Sequence, residues 1–149
     1  MSRVCVGIDI AAPPALVFDV MLDPARLRDW VTIHRRVDDV DTGEVREGFK
    51  MRQTLVLHGA PFKVRWTLTR HDPPRSAIWE GRGPGGSYAR TAYELTEING
   101  RGTHFQYENE YKAPGGALGA AASRALVGGT SEKEAKKSLE RLKRLLEGR

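Results

Sequence analysis

The chain has 149 residues, 40% of them hydrophobic and 29% charged, with a net charge of +5. That size and balance predict one globular domain, 1–149, with a core of its own, and exclude a disordered or fibrous chain. No apolar run approaches the about 20 residues that cross a bilayer, so stable membrane insertion is not expected. The basic excess is interleaved with acids, which predicts a solvated surface rather than a nucleic-acid partner.

The opening MSRVCVGIDI lacks the long apolar core and small-residue cleavage site of a signal peptide. A single cysteine, Cys5, excludes an internal disulfide and fits a cytoplasmic protein. Val4, Val6, Ile8 and Ile10 alternate with Cys5, Gly7 and Asp9, predicting a first strand with one buried face and a passive Cys5 on the other.

AAPPALVFDVMLDPARLRDWV reads as two short helices. Pro13 and Pro14 suit a first helical turn, and Leu16, Val17, Val20 and Met21 form its apolar face. Asp23-Pro24 restarts a helix with an aspartate cap, and Leu27, Trp30 and Val31 anchor this second piece, placed to brace the opening of a curved sheet.

From Ile33 to Tyr111 the pattern is strand and turn. Strands are predicted near Arg36–Asp41, Phe49–Leu57, Phe62–Arg70, Ala77–Gly81, Tyr88–Glu97 and Thr103–Tyr111. Gly- and Pro-bearing breaks such as Gly59-Ala60-Pro61, Asp72-Pro73-Pro74 and Asn99-Gly100 separate them. Short loops between successive strands indicate antiparallel hairpins.

Alternation within the strands sorts the faces. Met51, Gln53, Leu55 and Leu57 share one face, as do Phe62, Val64, Trp66 and Leu68. Thr91, Tyr93 and Leu95, and Phe105, Tyr107, Asn109 and Tyr111, continue it. The intervening positions are mostly charged.

The last third reads as one long helix from about Pro114 to Glu147. Its stripe runs Leu118, Ala122, Ala125, Leu126, then Ala135, Leu139, Leu142 and Leu146. Gly128-Gly129, followed by Ser131 and Glu134 as a capping box, predicts a kink. Seven strands with one wet face each must cover the other, and this helix is the long element available for it. The expected fold is therefore α+β, a curved antiparallel sheet of about seven strands wrapped around a long C-terminal helix.

The Ala/Gly-rich first half of that helix is thin, and the sheet face opposite it mixes tyrosine and tryptophan with Gln53, Thr91 and Asn109. Thin helix and polar-aromatic sheet together predict a cavity for a small molecule, bordered by Leu118, Ala122 and Leu126 on the helix. On the strands the expected lining is Met51, Gln53 and Leu55, Val64 and Trp66, Thr91 and Tyr93, then Phe105, Tyr107 and Asn109.

The order of these pieces resembles the helix-grip superfamily of START and Bet v 1-like proteins, and within it the polyketide cyclase/dehydrase-like (SRPBCC) branch. The matching stretches are IDIAAPPALVFDVMLDPARLRDW, WEGRGPGG, TAYELTE, GRGTHFQYENEY and KKSLERLKRLLE, so the likeness spans nearly the whole chain. It implies a helix-grip fold that holds a hydrophobic molecule, lipid- or polyketide-like, between sheet and C-terminal helix. Members include carriers, sensors and aromatase/cyclases, so fold is implied more firmly than activity.

Other motifs carry less. GRGPGGS joins two strands with no following helix, which excludes a phosphate loop. His34, His58, His71 and His104 lack ligand spacing, so neither a metal nor another cofactor is expected. Glu80 and Arg82 share a strand face; facing inward, they would be a base and a carboxylate or enolate binder, and with Tyr107 they are the catalytic candidates, but Trp79 and Gly81 compete for the inside. That competition favours an exposed strand ion pair of Glu80 and Arg82 and leaves Tyr107 and Asn109 as the interior polar groups. Without a Ser/His/Asp set or carboxylate pair, the leading reading is a carrier or sensor of a hydrophobic or aromatic small molecule, as monomer or homodimer. The runner-up is a polyketide cyclase/aromatase or dehydratase working by general acid–base groups. A third is a protein-interaction module with a vestigial pocket.

Overall fold

The alternation of the first ten residues becomes strand β1 (Ser2–Ile10), which buries Val4, Val6 and Ile10 and leaves Cys5 exposed. The computed structural model describes residues 2–57, 59–112 and 130–148. Helix α1 (Pro14–Leu22) starts behind Pro13 and buries Val17, Phe18, Val20, Met21 and Leu22. Leu16, expected on that face, is exposed instead. At 3.6 residues per turn it lies across the helix from Met21, and Phe18 takes the inward place. Asp23 caps the next turn as predicted, its carboxylate accepting from the Ala25 N–H at 3.0 Å. After the 3-10 turn Pro24–Arg26 comes α2 (Leu27–Trp30), one turn that buries Leu27 and Trp30.

Six further strands follow: β2 (His34–Val40), β3 (Lys50–Leu57), β4 (Ala60–Asp72), β5 (Ser76–Arg82), β6 (Tyr88–Ile98) and β7 (Gly102–Lys112). With β1 they form one antiparallel sheet in the order β1-β7-β6-β5-β4-β3-β2. Strands β2 to β7 pair as successive hairpins; the two helices carry the chain from β1 to β2 at the opposite edge of the sheet, and β7 returns to pair with β1.

A bulge between Leu68 and Arg70 corrects the face pattern of β4. Simple alternation after Trp66 and Leu68 would carry Arg70 into the core. The inserted residue turns Arg70 outward, where its Nε donates to Ser76 Oγ at 2.9 Å. It turns His71 inward, with its ring 5.6 Å from Phe18.

Helix α3 (Thr130–Glu147) packs on β1 and α2 through Ala135, Leu139 and Leu142. Its last turn is tied to the sheet: Glu147 Oε2 accepts from the Ala11 N–H at 2.8 Å, and Lys143 Nζ donates to the Asp9 carbonyl at 2.7 Å. The expected thin half of the helix, with Leu118, Ala122, Leu126 and the kink at Gly128-Gly129, lies outside the described residues. Among the described residues no helix is long and apolar enough to cross a membrane.

Candidate functional site

A cavity of about 220 Å³ lies between the inner face of β3–β7 and the helices α2 and α3. All three tryptophans of the chain border it: Trp30 from α2, Trp66 from β4 and Trp79 from β5. Glycine makes this possible at one point. Gly81 stands opposite Trp66 in the β4–β5 register, and a Cβ there would meet the indole at 2.7 Å. The bare backbone lets the indole lie across β5.

The indole position is also fixed from its polar edge. Trp66 Nε1 donates to Gln53 Oε1 at 2.8 Å, and Gln53 Nε2 stands 2.8 Å from His34 Nδ1. Indole can only donate, so the amide oxygen is committed to it and the amide nitrogen donates to Nδ1. His34 is therefore neutral, with its proton on Nε2. Burial first, and then the charge of Arg28, push its pKa down.

On β6 and β7 the register sets Tyr93 opposite Tyr107 and Thr91 opposite Asn109. The two phenol rings are 5.9 Å apart. Burial pushes both phenol pKa values up, with Tyr107 adding to the shift of Tyr93 and Tyr111 to that of Tyr107, so both keep their protons. Thr91 Oγ1 donates to Asn109 Oδ1 at 3.1 Å.

The helical side closes with a polar clasp. Ser138 Oγ accepts from the Thr32 N–H at 3.0 Å, and Thr32 Oγ1 donates to Glu134 Oε2 at 2.5 Å. Trp30 is 2% exposed, and its Nε1 is the buried side-chain polar atom without a partner among the described residues. Glu134 and Lys112 are the charged side chains among the described lining residues.

The structure brings Met51, Gln53, Leu55, Val64, Trp66, Thr91, Tyr93, Tyr107 and Asn109 together on the cavity, as alternation predicted. Phe105 is a correction: it is fully buried in the core with its ring 5.5 Å from Tyr93, and it does not border the cavity. Of the catalytic candidates, Glu80 and Arg82 do not join the cavity residues. They face outward because Trp79 and Gly81 take the inner positions of β5. There Glu80 Oε1 accepts from the Tyr88 hydroxyl at 2.8 Å, and the Arg82 guanidinium sits 5.0 Å from the Tyr88 ring centre. Neither can reach a substrate in the cavity.

Sequence reasoning did not assign Thr32, Ile33, Glu134 and Ser138 to the site, nor Leu27, Trp30 and Val31, which it used only as anchors. A one-turn helix gives no periodic signal, and the clasp joins residues about a hundred positions apart. Trp79 and Gly81 were legible from strand parity, because they alternate with Glu80 and Arg82. Among the described residues no three of His, Cys, Asp and Glu come together as metal ligands.

The family model described as "Polyketide cyclase / dehydrase and lipid transport" matches residues 1–147. Toxin Rv0910 of Mycobacterium tuberculosis H37Rv is 28% identical over 86 residues, which is 58% of this chain and 60% of the toxin's length. The fold is shared with TTHA0849 from Thermus thermophilus, at a TM-score of 0.80 and 16% identity, covering 99% of this chain and 98% of that one. It is shared too with the Zhui aromatase/cyclase from Streptomyces sp. R1128, at a TM-score of 0.72 and 18% identity, covering 98% and 93%.

Proposed function

Because this chain belongs to the polyketide cyclase/dehydrase and lipid transport family, we propose that it holds a hydrophobic or aromatic small molecule in the cavity between sheet and helices, as a carrier or sensor. The observation that carries this reading is the wall itself: three indoles, four tyrosine rings and aliphatic side chains around about 220 Å³, with few convergent polar groups. That is the make-up of a small-molecule site. An engineered apolar cavity of about 150 Å³ takes up benzene, so this space suits a ligand of one or two rings.

Carriage is favoured over cyclisation by the placement of the acid–base candidates. Glu80 and Arg82 lie on the convex face, and Tyr107, the remaining one, keeps its proton and so offers no base. Native mass spectrometry of freshly purified protein tests the reading, together with quenching of tryptophan emission by added naphthalene compounds. A co-purified small molecule, or saturable quenching, is the expected result. Bare protein that no apolar probe quenches would overturn it.

A further inference from the structure

Around Tyr93, Tyr107 and Asn109 the strand wall of the cavity presents N–H and O–H groups with no acceptor among the described residues. Tyr93 and Tyr107 stand side by side in register, two residues along from Thr91 and Asn109 and on the same face. The Thr91 hydroxyl is spent on Asn109 Oδ1, which directs the Asn109 amide N–H groups away from that bond. Neither phenol hydroxyl is hydrogen-bonded to another described residue. Gln53, the nearest other amide on this face, is committed at both ends, to Trp66 and to His34.

Resting on the ligand-binding reading above, we propose that the ligand is neutral and carries a carbonyl oxygen, of a ketone, ester or amide, seated on the hydroxyls of Tyr93 and Tyr107 and the amide N–H of Asn109. These groups open on the cavity space, and a pure hydrocarbon entering it would strip their hydration and return nothing. A carboxylate ligand is disfavoured for a different reason. Of the two ionisable side chains on the described lining, Glu134 is acidic and accepts from Thr32, and Lys112 is exposed. A buried carboxylate would lose its hydration without gaining an enclosed cation.

Three matched probes separate these cases: 2-acetylnaphthalene, 2-isopropenylnaphthalene, in which a CH₂ replaces the carbonyl oxygen, and 2-naphthoate. Their affinities are read by energy transfer from the cavity tryptophans, for the wild type and for Tyr93→Phe, Tyr107→Phe and the double variant. The ketone is expected to bind most tightly. Each lost hydroxyl should weaken it by roughly two- to tenfold and leave the isopropenyl compound unchanged.

The infrared carbonyl band of the bound ketone gives a readout independent of the variants, and in wild type it should lie below its position in hexane. Equal weakening of ketone and hydrocarbon, a hexane-like carbonyl band, or tightest binding of the naphthoate would each overturn the proposal while leaving the cavity a binding site. If none of the three probes bound the wild type, the ligand-binding reading itself would fall, and this inference with it.

Discussion

Gly81→Ala is the sharpest perturbation of the cavity wall. At a strand position with room for a methyl group, glycine to alanine stabilises a protein by about 0.4–1 kcal/mol, because the unfolded chain loses freedom. Here the added Cβ would stand 2.7 Å from two ring carbons of Trp66 and from Val64 Cγ1, so the indole must retreat by about 0.7 Å to reach the 3.4 Å of ordinary contact. Trp66 is buried and anchored by its 2.8 Å bond to Gln53. Overpacking of this kind costs about 1–3 kcal/mol, and stretching the anchor adds up to about 1 kcal/mol. A net loss of about 2 kcal/mol is expected, or roughly 4–8 °C in melting temperature for a domain of this size. Urea unfolding measures the loss, and the indole N–H resonance of Trp66 reports whether the anchor has moved. A variant as stable as the parent, with that resonance in place, would show that the indole does not lie across the glycine, and the account of this wall would be wrong.

The histidines supply a pH prediction with two signs. His34 has its pKa lowered from the ordinary 6.5 by burial and Arg28, so its contribution to stability is present above about 6.5 and is lost as pH falls through the folded value. His104 has its pKa raised by its 2.6 Å bond to Asp9, aided by Gln106, so its contribution is present below about 6.5 and is lost as pH rises through the folded value. Ring-proton NMR titration should find His34 below 6.5 and His104 above it, and the reverse order would refute both networks. Leu142→Ala, at a fully buried site on α3, should cost about 2–5 kcal/mol in thermal or denaturant unfolding, whereas Leu16→Ala should stay within about 0.5 kcal/mol. Comparable losses at the two positions would mean that α3 does not carry the core contact assigned to it.

The faces of the strands could be read from the sequence, because strand parity is local: a residue and its second neighbour share a side whatever the strand pairs with. That is why the cavity residues of β3, β4, β6 and β7 were legible, down to Tyr107 and Asn109. Partnership across strands is not local. Nothing in VCVGIDI says that β1 will lie against β7, and nothing in WEGRG says that Gly81 will meet Trp66 rather than Leu68. The clasp from Thr32 to Glu134 and Ser138 likewise depends on how α3 crosses α2.

Parity also fails wherever a bulge intervenes, as at Arg70. Between the bulge and the β5–β6 turn, the β4–β5 register pairs Trp66 with Gly81, Thr67 with Glu80 and Arg65 with Arg82. A slip of one residue would exchange the two faces of β5, turning Glu80 and Arg82 into the cavity and Trp79 out of it. The assignment of this site as a neutral, aromatic-walled cavity rather than a charged acid–base centre therefore rests on that register. The Trp66–Gly81 contact is what enforces it, since only glycine at that position leaves space for the indole. The same glycine that shapes the cavity wall thus keeps the ionic side chains of β5 away from it.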